Sequence, residues 1–275
     1  MKEKDYLLLV VDIDGTLLNK NGVISSADRD AISRVIDMGI GVSLSTGRVT
    51  KAAIRIIDQL SLNNNFHVFF DGALVSNPLR NEKIYIKPID AELVRQAVEY
   101  ARSQDINIDF YSATQYFIEK ETWVSDIRRD FFGLKSTIVD FNELWQKETI
   151  IKGTIVVRTD EEKAKAGSFC DYFEGSFNFS RTDTPAYPGI DFINVVASGV
   201  SKGKALEALT SYLLIPLNRV VAIGDGDNDI SLLSRAGLGI AMGNAPDELK
   251  EVADYVTLDV DNSGVAAAIE RFLPA

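Results

Sequence analysis

Near both ends of the chain, short unbroken apolar runs alternate with stretches of helical periodicity; between them the rhythm changes. Residues 6–11, YLLLVV, carry no polar alternation, which predicts a strand buried on both faces. Ser25 or Ser26 caps a helix running to about residue 38, with Ala27, Ala31, Ile32, Val35 and Ile36 on one face and Gly39 as its stop. Residues 40–44 read as a second strand, 49–60 as a second helix and 66–70 as a third strand. Strand, helix, strand, helix, strand predicts a parallel sheet with right-handed crossovers. The rhythm returns late in the chain. A helix begins at Ser201, a strand covers 219–223, a helix 229–236 and a short strand 238–241. Pro246 opens another helix, 255–258 is a last strand and 265–272 a last helix.

The middle of the chain reads differently. Residues 79–87 form a hairpin arm that Pro88 interrupts, and Asp90 caps a helix to about 103. Strands follow at 106–112 and 115–120 around an SAT turn, then a helix over 123–132. Further strands fall at 152–158, 177–181 and 190–197, with a helix at 161–173. The expected fold is therefore α/β: a Rossmann-like parallel-sheet core from residues 1–87 and 189–275, with an inserted α+β domain over 88–188. Pro88 and the TPAYPG segment at 184–189 would be the linkers.

Composition supports two compact units: 275 residues, 46% of them hydrophobic, are ample for two cores. Lys plus Arg number 29 against 40 Asp plus Glu, a net charge of −11 that argues against a nucleic-acid partner. Cys170 is the only cysteine, so no internal disulfide can form, which suits a reducing, cytoplasmic setting. The first apolar run breaks at Asp12, too short for a signal peptide or a membrane span, and no membrane partner is expected.

The polar residues that matter sit where predicted strands end. Asp12 and Asp14 follow the first strand, and Ser45, Thr46 and Gly47 follow the second. Lys202 opens a helix, and Gly224 to Asp229, GDGDND, follows the strand at 219–223. In open α/β sheets the carboxyl ends of strands are where ligands bind. Neighbouring strands would gather several carboxylates, one lysine and a hydroxyl at one place. Carboxylates that close repel one another unless a hard cation sits among them. Mg²⁺ suits such a site, with Ca²⁺ as the rival, although no twelve-residue calcium loop is present. Zinc is poorly served, because His67 is the sole histidine and Cys170 is remote; His67 reads as structural.

These motifs resemble the haloacid dehalogenase superfamily of phosphotransferases, and within it the Cof-type phosphatases with a large inserted cap. Asp12-Ile-Asp14-Gly-Thr is similar to the first motif, Thr46-Gly47-Arg48 to the second, Lys202 in GVSKGKAL to the third, and Gly224-Asp225-Gly-Asp-Asn228-Asp229 to the fourth. The stretch AGLGIAMGNAPDELKEVADYV follows the family pattern too. The resemblance covers about residues 5–87 and 189–272; within the insert it rests on length and α+β character alone. One departure is Asp71-Gly-Ala, where the family commonly has Asn-Gly-Ala.

The resemblance implies a mechanism. Asp12 would be the nucleophile, giving an aspartyl-phosphate, and Asp14 the general acid and then base. Mg²⁺ would be held by Asp12, the main-chain carbonyl of Asp14, and Asp225, with Asp229 in support. Thr46, the Gly47 N–H and Lys202 would neutralise the phosphoryl oxygens. Asn228 would orient Asp12 or the phosphate. Arg48 would reach a substrate hydroxyl or a cap carboxylate. The insert would act as a lid that selects the leaving group, with Tyr111, Trp123 and Tyr187 as candidate contacts that burial priors favour as packing residues. The implied activity is a cytoplasmic Mg²⁺-dependent phosphatase acting on small phosphomonoesters, sugar phosphates foremost, as a monomer or weak homo-oligomer. Two alternatives stand beside it: a sugar phosphomutase of the same superfamily, and a phospho-accepting regulatory module. Asp14 argues against the second, since a stable signal is poorly served by a general base beside it.

Overall fold

The structure, a computed structural model, describes residues 6–133, 135–183 and 187–274. In chain order the first elements are β1 (Leu8–Val11), α1 (Ser26–Asp37), β2 (Gly41–Leu44), α2 (Thr50–Gln59), β3 (His67–Phe69), β4 (Leu74–Asn77) and β5 (Glu82–Ile86). There follow α3 (Ala91–Ser103), β6 (Ile108–Tyr111), β7 (Tyr116–Ile118), α4 (Trp123–Phe132), β8 (Ser136–Ile138) and α5 (Phe141–Lys147). Next come β9 (Lys152–Val157), α6 (Asp160–Tyr172), β10 (Phe177–Asp183) and β11 (Asp191–Ala197). The chain closes with α7 (Lys202–Leu213), β12 (Val220–Gly224), α8 (Ile230–Leu233), β13 (Leu238–Ala241), α9 (Asp247–Val252), β14 (Tyr255–Val256) and α10 (Gly264–Phe272).

Contacts divide the chain into two compact units. One comprises Met1–Arg48, Ala53–Tyr85 and Ser201–Ala275; the other comprises Val49–Ala52 and Ile86–Val200. The first is built on a five-stranded sheet in the order β14-β13-β12-β1-β2, with every pairing parallel. All four residues of β1 are buried, as an unbroken Leu/Val run requires of a central strand. Leu8 and Val10 pack with Val220, Ala222, Leu206, Leu209 and Leu232, bringing α7 and α8 onto one face. Burying each of these Leu and Val side chains contributes about 1.5–3 kcal/mol. α1 packs against β2 and α10, and its buried Asp28 accepts the Ala266 N–H at 2.8 Å, satisfying one of the open donors at the start of α10.

The third predicted strand departs from expectation. β3 pairs antiparallel with β4 in a three-stranded sheet with β5, and its link to β2 is one parallel bridge, Ser45 to Val68. His67 explains part of this. Its Nδ1 accepts the Leu44 N–H at 3.1 Å and its Nε2 lies 3.2 Å from the Leu62 carbonyl, so a buried imidazole replaces main-chain pairing there. Burial holds its pKa down to about 4, against the pull of the Leu62 carbonyl, which keeps it neutral.

The second unit carries a six-stranded sheet in the order β10-β11-β9-β6-β7-β8, antiparallel except between β7 and β8. β11 pairs with β10 along Asp191–Ala197 and with β9 on its other side. This unit therefore runs to Val200, whereas the sequence reading returns the chain to the first unit at residue 189. Of the expected linker at 184–189, residues 184–186 lie outside the described residues. Tyr111 is buried and stacks on Tyr116, Arg158 lies 4.4 Å over the Trp123 ring, and Tyr187 packs with Val124 and Ile127. All three serve packing within the unit. Among the described residues no helix is long and apolar enough to cross a membrane.

Candidate active site

The register of the parallel sheet assembles the site. Val11 lies opposite Leu44 on one side and Ile223 on the other, so β1, β2 and β12 release their chains at one edge. Main-chain bonds extend the alignment one step: Asp12 N–H reaches Ile223 O and Ser45 N–H reaches Val11 O, both at 2.9 Å. Asp12, the Ser45–Arg48 loop and the Asp225–Asp229 loop consequently emerge side by side.

Lys202 ties two of them together. It opens α7 behind the Ser201 cap, its side chain is 1% exposed, and its Nζ donates to Asp12 Oδ1 and Asp229 Oδ1, each at 2.6 Å. Burial works against its charge, but the two carboxylates outweigh burial and raise its pKa. The other Asp229 oxygen accepts the N–H groups of Asp225 and Gly226, both at 3.1 Å, so this buried carboxylate is held from two directions. Asp225 is oriented by Thr16, whose hydroxyl donates to Oδ1 at 2.7 Å, and by Asn244, whose Nδ2 lies 3.4 Å from Oδ2 and donates to Gly15 O at 2.9 Å. Gly15 is required here: its φ is +84°, and a Cβ would stand 2.0 Å from Asp225 Oδ2.

Asp12, Asp225 and Asp229 can each offer an oxygen within 4.8 Å of the others. Burial, and then the neighbouring carboxylates, raise the Asp12 pKa against the pull of Lys202. Burial, with Asp229 and Asp14, pushes Asp225 up to about 6 against the Thr16 hydrogen bond and Lys202. Three carboxylates and one lysine leave a formal charge of −2 in a buried place. An all-oxygen donor set with that deficit fits a hard divalent cation.

The remaining expected residues are distributed differently. Asp14 stands half exposed in a bidentate pair with Arg48, Nε to Oδ2 at 2.7 Å and a terminal nitrogen to Oδ1 at 2.6 Å. Its carboxylate is not one of the clustered three. Arg48 thus meets Asp14, where the sequence reading directs it to a substrate or a cap carboxylate; burial opposes its charge, but Asp14 raises its pKa. Thr46 Oγ1 accepts the Arg48 N–H at 3.1 Å, leaving its own hydrogen to donate. Asn228 donates to Asp71 Oδ1 at 2.9 Å, whereas the sequence reading directs it to Asp12 or to the phosphate. Ser45 is buried and its hydroxyl has no partner among the described residues. The sequence reading assigns no role to Thr16, Asn244 or Asp71, although the first two stand inside the stretches DIDGT and AMGNA and the third is the departure Asp71-Gly-Ala.

A parallel α/β unit with a lysine-bridged carboxylate cluster at its strand ends is an arrangement suited to holding a divalent cation. A family model for haloacid dehalogenase-like hydrolases matches residues 9–269, and the chain belongs to that family. A solved haloacid dehalogenase-like hydrolase from Bacteroides thetaiotaomicron is 31% identical, with a TM-score of 0.83 over 97% of this chain and 99% of that one. A solved subclass IIB sugar phosphatase of the same superfamily is 28% identical, with a TM-score of 0.79 over 98% and 99%. The 5-amino-6-(5-phospho-D-ribitylamino)uracil phosphatase YitU of Bacillus subtilis is 27% identical over 99% of each chain.

Proposed function

We propose that this protein is a Mg²⁺-dependent phosphatase of small phosphomonoesters, sugar phosphates foremost, that works through an aspartyl-phosphate on Asp12. The observation that carries the reading is Lys202 clamped between Asp12 and Asp229 inside the carboxylate cluster. Lys202 holds Asp12 through Oδ1, while Oδ2 accepts no hydrogen bond among the described residues, so we take Oδ2 as the attacking oxygen. Its attack on phosphorus forms the Oδ2–P bond and breaks the bond to the ester oxygen. Acyl phosphates hydrolyse readily, so one hard displacement becomes two easier ones.

Asp14 gives a proton to the departing alkoxide and then takes one from the attacking water. To donate, it must take up a proton and loosen its paired contact with Arg48. The Thr46 hydroxyl, the Gly47 N–H and the Lys202 ammonium offset charge on the phosphoryl oxygens. Mg²⁺, held by Asp12, Asp225 and Asp229 with the Asp14 carbonyl, would supply charge neutralisation for the same oxygens. Asn228 acts one step back, through Asp71. We assign leaving-group selection to the second unit, as a lid, because every core motif residue belongs to the first. The preference for sugar phosphates is supported by the relative named a sugar phosphatase, and a small phosphomonoester substrate also by the relative named a 5-amino-6-(5-phospho-D-ribitylamino)uracil phosphatase.

The test is phosphate release from a panel of phosphomonoesters, with Mg²⁺ or EDTA, by the native protein and by Asp12→Asn. Release should need the metal and fall at least about 10³-fold in the variant. Phosphate retained on Asp12 without release would instead support the regulatory module, and isomerised sugar phosphate without free phosphate the mutase.

A further inference from the structure

Asp71 is an acidic residue at this site to which the reaction above gives no direct part. It is only 7% exposed and sits in the turn after β3 with φ +56° and ψ +23°, a left-handed conformation shared by Phe70 before it. Side-chain-bearing residues adopt that region at a cost, and two in succession are retained where the surroundings hold them. Three main-chain bonds do so. Thr46 N–H donates to Val68 O at 2.9 Å, Phe70 N–H to Arg48 O at 3.1 Å, and Asp71 N–H to Thr46 O at 3.2 Å. The turn is thereby laced to the Thr46–Gly47 loop.

The carboxylate adds a side-chain link. Its Oδ1 accepts Asn228 Nδ2 at 2.9 Å, and a Cβ on Gly47 would stand 2.6 Å from that same oxygen. One carboxylate therefore lies against the glycine of the anion cradle and is fastened to the loop that carries Asp225 and Asp229. Asparagine would meet both demands, since it takes left-handed backbone readily and its amide oxygen accepts the same hydrogen bond. What only aspartate brings is a negative charge beside a place built to receive a dianion.

On the phosphatase reading, we propose that Asp71 is a positioning residue joining the Thr46–Gly47 cradle to Asn228, and that its charge weakens the cradle's hold on phosphate so that the product leaves. Inside a partly buried site, like charges a few ångströms apart oppose each other far more than in water. The repulsion acts on substrate and inorganic phosphate alike, so it raises KM and hastens release together.

The experiment compares the Mg²⁺-loaded native protein with Asp71→Asn and Asp71→Gly. It measures inorganic phosphate affinity by calorimetry, KM and kcat on the best ester, and melting temperature. Asp71→Asn should bind phosphate three- to tenfold more tightly, lower KM by a similar factor and not raise kcat. Asp71→Gly accepts φ +56° without strain but loses the Asn228 bond, and its kcat should fall further than that of the asparagine variant. A purely structural role would move the melting temperature and leave phosphate affinity unchanged. Unchanged or weaker phosphate binding in Asp71→Asn overturns the proposal while native turnover stands. Absence of native turnover overturns the phosphatase reading first, and the proposal falls with it.

Discussion

A single imidazole shows how much one side chain can decide. His67 accepts the Leu44 N–H and faces the Leu62 carbonyl, which fixes the neutral tautomer with hydrogen on Nε2. Burial lowers its pKa from 6.5 to about 4, so between those values the unfolded chain binds a proton that the folded chain refuses. The stability it supports is complete above pH 6.5, drains as pH falls towards 4 and is flat below. A shift of that size corresponds to about 3 kcal/mol. His67→Gln has no such titration. Denaturant unfolding of both proteins at pH 7 and pH 4 should show the native protein losing about 3 kcal/mol more than the variant over that interval. Equal losses would mean that the ring is not held neutral. Lys202 and Asp14 make the opposite point. They are the two site residues whose partners the strand-end argument could least foresee, because a lysine's reach and an arginine's choice of carboxylate are settled by packing.

Elements position these residues through a few close approaches. Gly72, in the turn after β3, has φ +101°, and a Cβ there would stand 2.3 Å from Ser201 O and 2.8 Å from Lys202 N. The turn and the first residue of α7 thus share space that no side chain can enter. Gly72→Ala should destabilise the protein by about 2–4 kcal/mol and, by displacing the start of α7, cost at least tenfold in kcat. Thermal unfolding and steady-state kinetics on the same preparation check both, and a variant of native activity would show that α7 tolerates the shift. The parallel strands were legible because β1 and β12 are buried on both faces and so read as continuous apolar runs. β8, with Ser-Thr-Ile partly exposed, and the seven-residue α5 carry too little pattern to register. The sequence of β11 reads as a strand, yet its membership in the second unit's sheet is not legible there, since register with β9 and β10 is a long-range property. At the site, residue types and strand-end positions were visible, whereas the Asp71–Asn228 link joins residues 157 apart and left no local trace.

For the whole molecule, the cost of the carboxylate cluster sets how folding responds to metal. A net charge of −11 already disfavours compactness, and the buried cluster concentrates part of it. A cation that binds only the folded chain stabilises it by RT ln(1 + [L]/Kd), about 2.7 kcal/mol at a hundred times Kd. For a chain of this size that amounts to a rise of about 5–10 °C in melting temperature. Asp225→Asn removes one of the three clustered carboxylates, whose pKa burial and its neighbours push up to about 6, so its charge is a burden when no cation is bound. At pH 8 with EDTA the Asp225→Asn protein should therefore melt above the native one. With saturating Mg²⁺ the order should reverse, because only the native site gains the linkage energy. Asp14→Asn should keep the full Mg²⁺ shift, since its carboxylate is engaged with Arg48 and the main-chain carbonyl is untouched. Melting curves of the three proteins with and without Mg²⁺ decide the matter. An Mg²⁺ shift that survives Asp225→Asn would place the cation elsewhere, and one lost in Asp14→Asn would bring the Asp14 carboxylate into the metal's own ligand set.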